Sequence, residues 1–226
     1  MANSSAGRGV EYTVIFQNNS SNAVSACIYQ VDTNIFAPNA QSLAWFAKAA
    51  APTTRAVFNW TVDYCFTWAE TGELIPGVLF AASQTWAADL TSTNQITFST
   101  AGGMYMFSNQ QQGPRPGSLY IREDSAIPLK QAAVGIGMSG AGTFAMQAQP
   151  NMNLVFTPNP KYYITFGEFT PGEVLDIPSI ANKAELQFPP NVYSMTAVLN
   201  EDNTWSVMPT SQVNPRMIGL DAQRDE

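Results

Sequence analysis

The segment Val57-Phe-Asn-Trp-Thr-Val-Asp-Tyr-Cys-Phe-Thr-Trp68 decides the fold of this chain. Large apolar residues occupy its even positions, from Phe58 to Trp68, whereas most odd positions carry small or polar residues. A period of two is typical of a β-strand with one buried face. We therefore predict a strand across this segment, with the even-numbered side chains directed into a core.

A second stretch of the chain repeats the first. Residues 44–70 and 142–168 align without a gap at a constant shift of 98. The identical pairs include Phe46 and Phe144, Phe58 and Phe156, Tyr64 and Tyr162, and Glu70 and Glu168. Because the shift is even, the duplication keeps the same side chains on the buried face. Pro158 and Pro160 interrupt the second copy, which predicts a bulge or a sheet edge there.

The repeat predicts an all-β fold: a duplicated antiparallel β-sandwich of two related units of about 90 residues each, arranged as a pseudo-twofold, with little helix. The predicted division is a flexible N-terminus at 1–9, a first β unit at 10–104, a second at 105–210, both in one compact domain, and a C-terminal tail at 211–226. Helix is limited to a turn or two at 41–50 and 83–90.

Composition restricts the classes of function. Of 226 residues, 45% are hydrophobic and 12% charged, which indicates a folded protein with a weakly charged surface that favours self-association. The formal net charge of −7 excludes binding driven by counterion release from a phosphate backbone, so nucleic acid is not an expected partner.

The sequence also predicts where the protein resides. Its first nine residues contain no apolar run of signal-peptide length, and no window approaches the length of a membrane span, so we expect a cytoplasmic protein without a signal peptide or a transmembrane segment, with release from the cell by a non-classical route as an alternative. We interpret Cys27 and Cys65 as buried thiols in a reducing compartment. A disulfide formed after release is the alternative.

No motif indicates catalysis. The chain has no histidine, which excludes Ser-His-Asp, Cys-His and histidine-zinc sites. The pattern Gly135-Ile-Gly-Met-Ser-Gly140 matches a dinucleotide fingerprint, but no helical pattern follows it, so we interpret these glycines as a close crossing of strands. We expect no catalytic residue, no metal ligand, no cofactor and no enzymatic activity.

Two aromatic and acidic pairs recur in the copies and are the candidate ligand-binding residues: Trp68 with Glu70, and Phe166 with Glu168. Aromatic rings stack on the apolar face of a sugar while carboxylates accept from its hydroxyls. The preferred interpretation is nevertheless structural, with each carboxylate accepting from backbone N–H groups at a strand end. Sugar binding is the alternative, followed by hydrolysis of a sugar by paired carboxylates.

The tail contains one apolar cluster, Met217, Ile218 and Leu220, in an otherwise polar segment. This cluster is the candidate self-association element, docking on a neighbouring subunit. A disordered end is the alternative interpretation.

Several longer motifs resemble one known family. They are Ser42-Leu-Ala-Trp-Phe46, Trp60-Thr-Val-Asp-Tyr64, Leu74-Ile-Pro-Gly77, Gly135-Ile-Gly-Met-Ser-Gly140, Phe156-Thr-Pro-Asn-Pro-Lys-Tyr162, Thr170-Pro-Gly-Glu-Val-Leu-Asp176 and Phe188-Pro-Pro-Asn-Val-Tyr193. Together they make the chain similar to the RhiA-type rhizosphere-expressed proteins of root-nodule bacteria. The resemblance implies a bacterial protein made abundantly under cell-density control (quorum sensing) in association with a host. It implies no mechanism.

Three functions follow, in order of preference. The first is a non-enzymatic structural or interaction protein that assembles with itself into homo-oligomers or filaments, as low charge and repeated strands favour. The second is a lectin-like carbohydrate-binding module. The third is a host-directed cytolysin.

Overall fold

The protein consists almost entirely of β-strands. A computed structural model describes residues 9–31 and 39–214. The strands in these residues are β1 Glu11–Asn18, β2 Val24–Val31, β3 Gln41–Ser42, β4 Ala44–Ala50, β5 Arg55–Thr61, β6 Tyr64–Ala69, β7 Gln84–Ala88, β8 Gln95–Ala101, β9 Met104–Gln111, β10 Leu119–Glu123, β11 Ala133–Met138, β12 Ala141–Gln147, β13 Asn153–Phe156, β14 Lys161–Gly167, β15 Lys183–Glu185, β16 Ser194–Leu199 and β17 Trp205–Pro209. Helix within the described residues is limited to two short 3-10 turns, Ile177–Ser179 and Thr210–Gln212. The predicted all-β class is confirmed.

The helical turns predicted at residues 41–50 and 83–90 are wrong. The first segment forms β3 and β4, and the second contains β7. Both pair with neighbouring strands, β4 with β2 and β7 with β6, so tertiary pairing overrides the weak local preference for helix.

The strands form four sheets. In the order of hydrogen-bonded neighbours, sheet 1 is β17-β16-β1-β5, sheet 2 is β15-β14-β2-β4, sheet 3 is β13-β10-β8-β9 and sheet 4 is β3-β12-β11-β6-β7. Two pairs are parallel, β1 with β16 and β8 with β10, and the other pairs are antiparallel. The predicted antiparallel arrangement therefore holds for all but these two pairs.

The sheets pack as two sandwiches, each with its own core. Sheets 1 and 2 enclose a cluster that includes Val14, Phe58 and Ile164. Sheets 3 and 4 enclose another, which includes Phe66 and Phe98. Between the sandwiches, the indole N–H of Trp45 in β4 donates to the backbone oxygen of Met138 in β11, at 3.0 Å.

The two sandwiches divide the chain differently from the predicted units. Residues 64–156 contain β6 to β13, which with β3 build the second sandwich. Residues 11–61 and 161–209 supply the first sandwich, so the second is inserted within it along the chain. The boundary predicted between residues 104 and 105 falls at the start of β9, inside the second sandwich.

The segment at residues 57–68 contributes to two strands, β5 and β6, in two different sheets. Its even-numbered side chains are buried as predicted, with Phe58 1% and Phe66 0% exposed. However, β5 ends at Thr61, and Val62 lies 48% exposed in the turn that leads to β6. Ser139 holds this turn, because its hydroxyl accepts from the Thr61 N–H at 2.8 Å and its N–H donates to the Asp63 oxygen at 3.0 Å.

Strands related by the shift of 98 occupy corresponding places. β5 and β13 are edge strands next to β1 and β10, each of which also has a parallel neighbour. β6 lies between β7 and β11, and β14 between β15 and β2. A duplicated unit would give this correspondence of strand orders. The duplication itself stays a prediction. The prolines that follow β13 fit its place at an edge.

Candidate functional site

Sheet edges are the first feature with functional consequences, because an unpaired strand edge is a template for pairing with another chain. Within the described residues, most edge strands carry a protective feature. β3, β13 and β15 have two, four and three residues, β17 ends in Pro209, β4 contains Lys48 and β5 begins with Arg55. The Lys48 Nζ donates to the Val57 oxygen in β5 at 2.5 Å, which blocks a backbone acceptor there.

Strand β9 lacks these protective features. It has eight residues with no charge and no proline, and it lies within residues 90–114, which contain no charged side chain. Met104 and Met106 lie on its outer face and are 66% and 37% exposed. A bulge at Asn109, which has a φ of 50°, limits the regular part of this edge to residues 104–108.

The free side of β9 faces β7, and side chains alone bridge the two strands. The Phe107 N–H donates to Gln84 Oε1 over 3.5 Å, and the Gln110 amide donates to the Ala87 oxygen at 2.6 Å. Because successive residues in a strand point their backbone groups in opposite directions, the N–H and C=O of Tyr105 face outward, as those of Phe107 do. The edge therefore presents a backbone donor and acceptor beside two exposed methionines.

The first predicted ligand pair is split between core and surface. Trp68 is 6% exposed, packs in the second core and donates its indole N–H to Gln84 Oε1 at 3.0 Å. Its ring is therefore not accessible to a sugar. Glu70 is exposed and lines an open cleft of about 560 Å³, in which Tyr105 is the aromatic residue. The structure thus brings Glu70 together with Tyr105.

The second predicted pair has a different environment. Phe166 is half-buried in β14, with its ring centroid 5.9 Å from that of Trp205, and it also lines a cavity of about 340 Å³. Glu168 is exposed and is not among the residues that line this cavity or the Glu70 cleft. The two glutamates belong to different sandwiches, so the structure does not unite the four residues in one site.

The remaining predicted residues can be placed briefly. Met217, Ile218 and Leu220 lie outside the described residues. Cys27 and Cys65 are buried free thiols, as predicted; burial raises the pKa of both, that of Cys65 to about 12. In the described part of the chain, no three acidic or cysteine side chains group as a metal site requires, and no helix has the length and hydrophobicity to cross a membrane.

Sequence reasoning missed two features that the structure brings together, the β9 edge and Tyr105. The signal for the edge was the uncharged run at residues 90–114. No sequence signal indicated that Tyr105, rather than Trp68, is the accessible aromatic residue beside Glu70, because this depends on how β9 packs on sheet 4.

The fold therefore defines an all-β protein of two packed sandwiches with a long, uncharged edge strand, β9. A family model described as RhiA matches residues 9–210. The chain is also 37% identical over 205 residues to Protein RhiA of Rhizobium leguminosarum bv. viciae, covering 89% of this chain and 88% of the relative. This chain belongs to the RhiA family. No solved structure matches it significantly.

Proposed function

We propose that this protein is a non-enzymatic, self-associating protein whose subunits pair edge to edge through β9. The observation that carries the proposal is the contrast among the edges: β9 is the longest edge strand of the described residues and has neither charge nor proline. An edge of this kind is a pairing site for a second strand.

A second copy of β9 is the best-matched partner. An antiparallel β9 pair would join the outward N–H and C=O of Tyr105 to those of the other copy, as in an isologous interface, while the Phe107 N–H stays bonded to Gln84 Oε1. The strand carries no charge, so two copies meet without repulsion between like charges. The exposed side chains of Met104 and Met106 would be partly covered in the same contact.

The test adds a charge at the edge without altering the core. Met106 points outward, so M106K places an ammonium on the strand that would pair, while its own pairing with Ser99 in β8 stays intact. The matched control is V57K, which replaces another exposed apolar residue on the edge strand β5. Sedimentation velocity of the full chain is measured over a hundredfold range of concentration.

We expect the unmodified chain and V57K to form dimers as concentration rises, because an isologous contact through one strand closes with two subunits, and M106K to remain mostly monomeric. A variant that lacks residues 215–226 should assemble as the full chain does, which would separate β9 from the tail cluster predicted from the sequence. An unmodified chain that is monomeric at every concentration would refute the proposal, and so would M106K that assembles like V57K.

A further inference from the structure

The open cleft beside Glu70 is a second candidate site, and residues of a single subunit form it without any contribution from assembly. It lies at the end of the second sandwich, where β6 ends, the β8–β9 hairpin turns and the loop that precedes β11 passes. Three parts of the chain that are distant in sequence therefore line one space. Its volume, about 560 Å³, is in the range of small-molecule sites.

The polar groups of the cleft offer both kinds of hydrogen bond. The Glu70 carboxylate is exposed and only accepts. The Tyr105 hydroxyl donates to Gln131 Oε1 over 3.5 Å, and this bond does not use the amide N–H₂ donors of Gln131. The Thr100 hydroxyl both donates and accepts. A ligand with several hydroxyl groups matches this set, because each hydroxyl is both a donor and an acceptor.

The remaining lining is apolar and carries no positive charge. The ring of Tyr105 stacks on that of Phe98, with centroids 5.6 Å apart and planes at 8°. Ala126 and Pro128 add apolar surface on the loop side. Of the described residues that line the cleft, none is lysine or arginine, so an anion such as a phosphate or a carboxylate has no counter-charge there.

From these contacts we propose that the Glu70–Tyr105 cleft binds a neutral carbohydrate, with Tyr105 against the apolar face of one sugar ring and Glu70 and Gln131 on its hydroxyls. An aromatic ring beside a few convergent polar groups combines the two contacts that a sugar requires. The cleft is open to solvent, so it suits the end of a longer glycan. The burial of Tyr105 and the negative charge of Glu70 both raise the pKa of Tyr105, in keeping with their proximity.

The test uses the full chain and a matched control. Binding is screened on an array of neutral oligosaccharides of one to six units, and the best binder is titrated by calorimetry. E70Q keeps the size of the exposed side chain but removes the charge that strengthens its hydrogen bonds. The control is E168Q, because Glu168 occupies the corresponding place in the other copy and does not line this cleft.

We expect the unmodified chain to bind at least one neutral glycan and E168Q to match it within about twofold. E70Q should bind at least about tenfold more weakly, since a hydrogen bond to a charged group is replaced by a neutral one. Y105L, whose fold is checked by cooperative unfolding, should lose binding. No bound glycan on the array, or an affinity of E70Q equal to that of the unmodified chain, would overturn the proposal.

This outcome can be distinguished from that of the self-association test. M106K changes the outer face of β9, whereas Tyr105 and Glu70 line the cleft. M106K is therefore expected to keep the glycan affinity even where it prevents assembly, and E70Q to keep assembly where it weakens glycan binding.

Discussion

Glu123 provides the sharpest test of the packing in the second sandwich, because it is a carboxyl group buried with only part of its hydrogen bonding satisfied. It ends β10 and is 5% exposed. Its Oε2 accepts from the Gln149 N–H at 3.1 Å, whereas Oε1 is buried without a hydrogen-bond partner. Burial raises its pKa from 4.5 to about 7, against the smaller opposing effect of the Gln149 hydrogen bond.

The sign and size of the effect on stability follow from linkage. Between pH 4.5 and 7 the folded state holds the proton and the unfolded state releases it, so the free energy of unfolding falls as the pH rises. Below pH 4.5 both states are protonated, and the penalty vanishes. Above pH 7 it reaches a constant value of about 3 kcal/mol, from about 1.4 kcal/mol for each pKa unit.

The substitution E123Q replaces the carboxyl group by a neutral amide of the same shape and so removes this dependence on pH. Any fixed cost of burying the amide is the same at every pH. The change in the free energy of unfolding that E123Q causes should therefore be more favourable by about 2–3 kcal/mol at pH 8 than at pH 5. Urea unfolding followed by tryptophan fluorescence at both pH values measures this difference.

The control is E168Q, whose side chain is exposed; it should change the free energy of unfolding by the same small amount at both pH values. The reasoning is refuted if E123Q, compared with the unmodified chain, gains the same free energy at pH 5 and at pH 8. That result would mean that Glu123 is solvated or paired in the folded protein.

Three further outcomes follow from the packing. G135A should lower the free energy of unfolding by about 2 kcal/mol or more, because a Cβ at Gly135 would lie 2.0 Å from a backbone oxygen of β12. The control G72A should be tolerated, because the atom nearest to its Cβ would be 3.5 Å away. Urea unfolding of the two variants measures the difference. N18A should cost about 2 kcal/mol in the same assay, since the buried Asn18 amide donates to the oxygens of Asn22 and Ala50 at 2.8 and 3.0 Å; an unchanged midpoint would contradict this. Labelling of Cys65 by a thiol reagent at pH 8 should be slow in the native protein and fast in urea, because burial disfavours the thiolate.

The sequence was sufficient to predict the buried faces of the central strands but not their sheets. Alternation correctly places Phe58 and Phe66 in a core, because the period of two depends only on local geometry. The turn after Thr61 has an even number of residues, Val62 and Asp63, and so the alternation continues across it unchanged. Local pattern therefore cannot show that the chain passes from one sandwich to the other at this point.

The parallel pairs and the accessible aromatic residue could not be predicted for a related reason. The pairing of β1 with β16 joins the two ends of the described chain, and no residue in either strand encodes its neighbour. Likewise, Trp68 and Glu70 are two residues apart and were expected on one accessible face. Trp68 is covered because β9 packs Tyr105 against it, with ring centroids 5.9 Å apart.

Strand β9 thus connects the two proposals through the alternation of its side chains. Met104 and Met106 point to the outer face, and Tyr105 and Phe107 to the core and the cleft. Edge pairing uses the backbone of β9 and covers its outer face, so an assembled protein would keep the Tyr105 side of the strand open. If both proposals hold, a dimer joined through β9 carries two sugar sites, and its avidity for a multivalent glycan surface should exceed that of the monomer. The measurement is retention on a glycan-coated surface: M106K, monomeric but with its cleft intact, should dissociate much faster than the unmodified chain, and equal dissociation rates would show that assembly contributes nothing to binding.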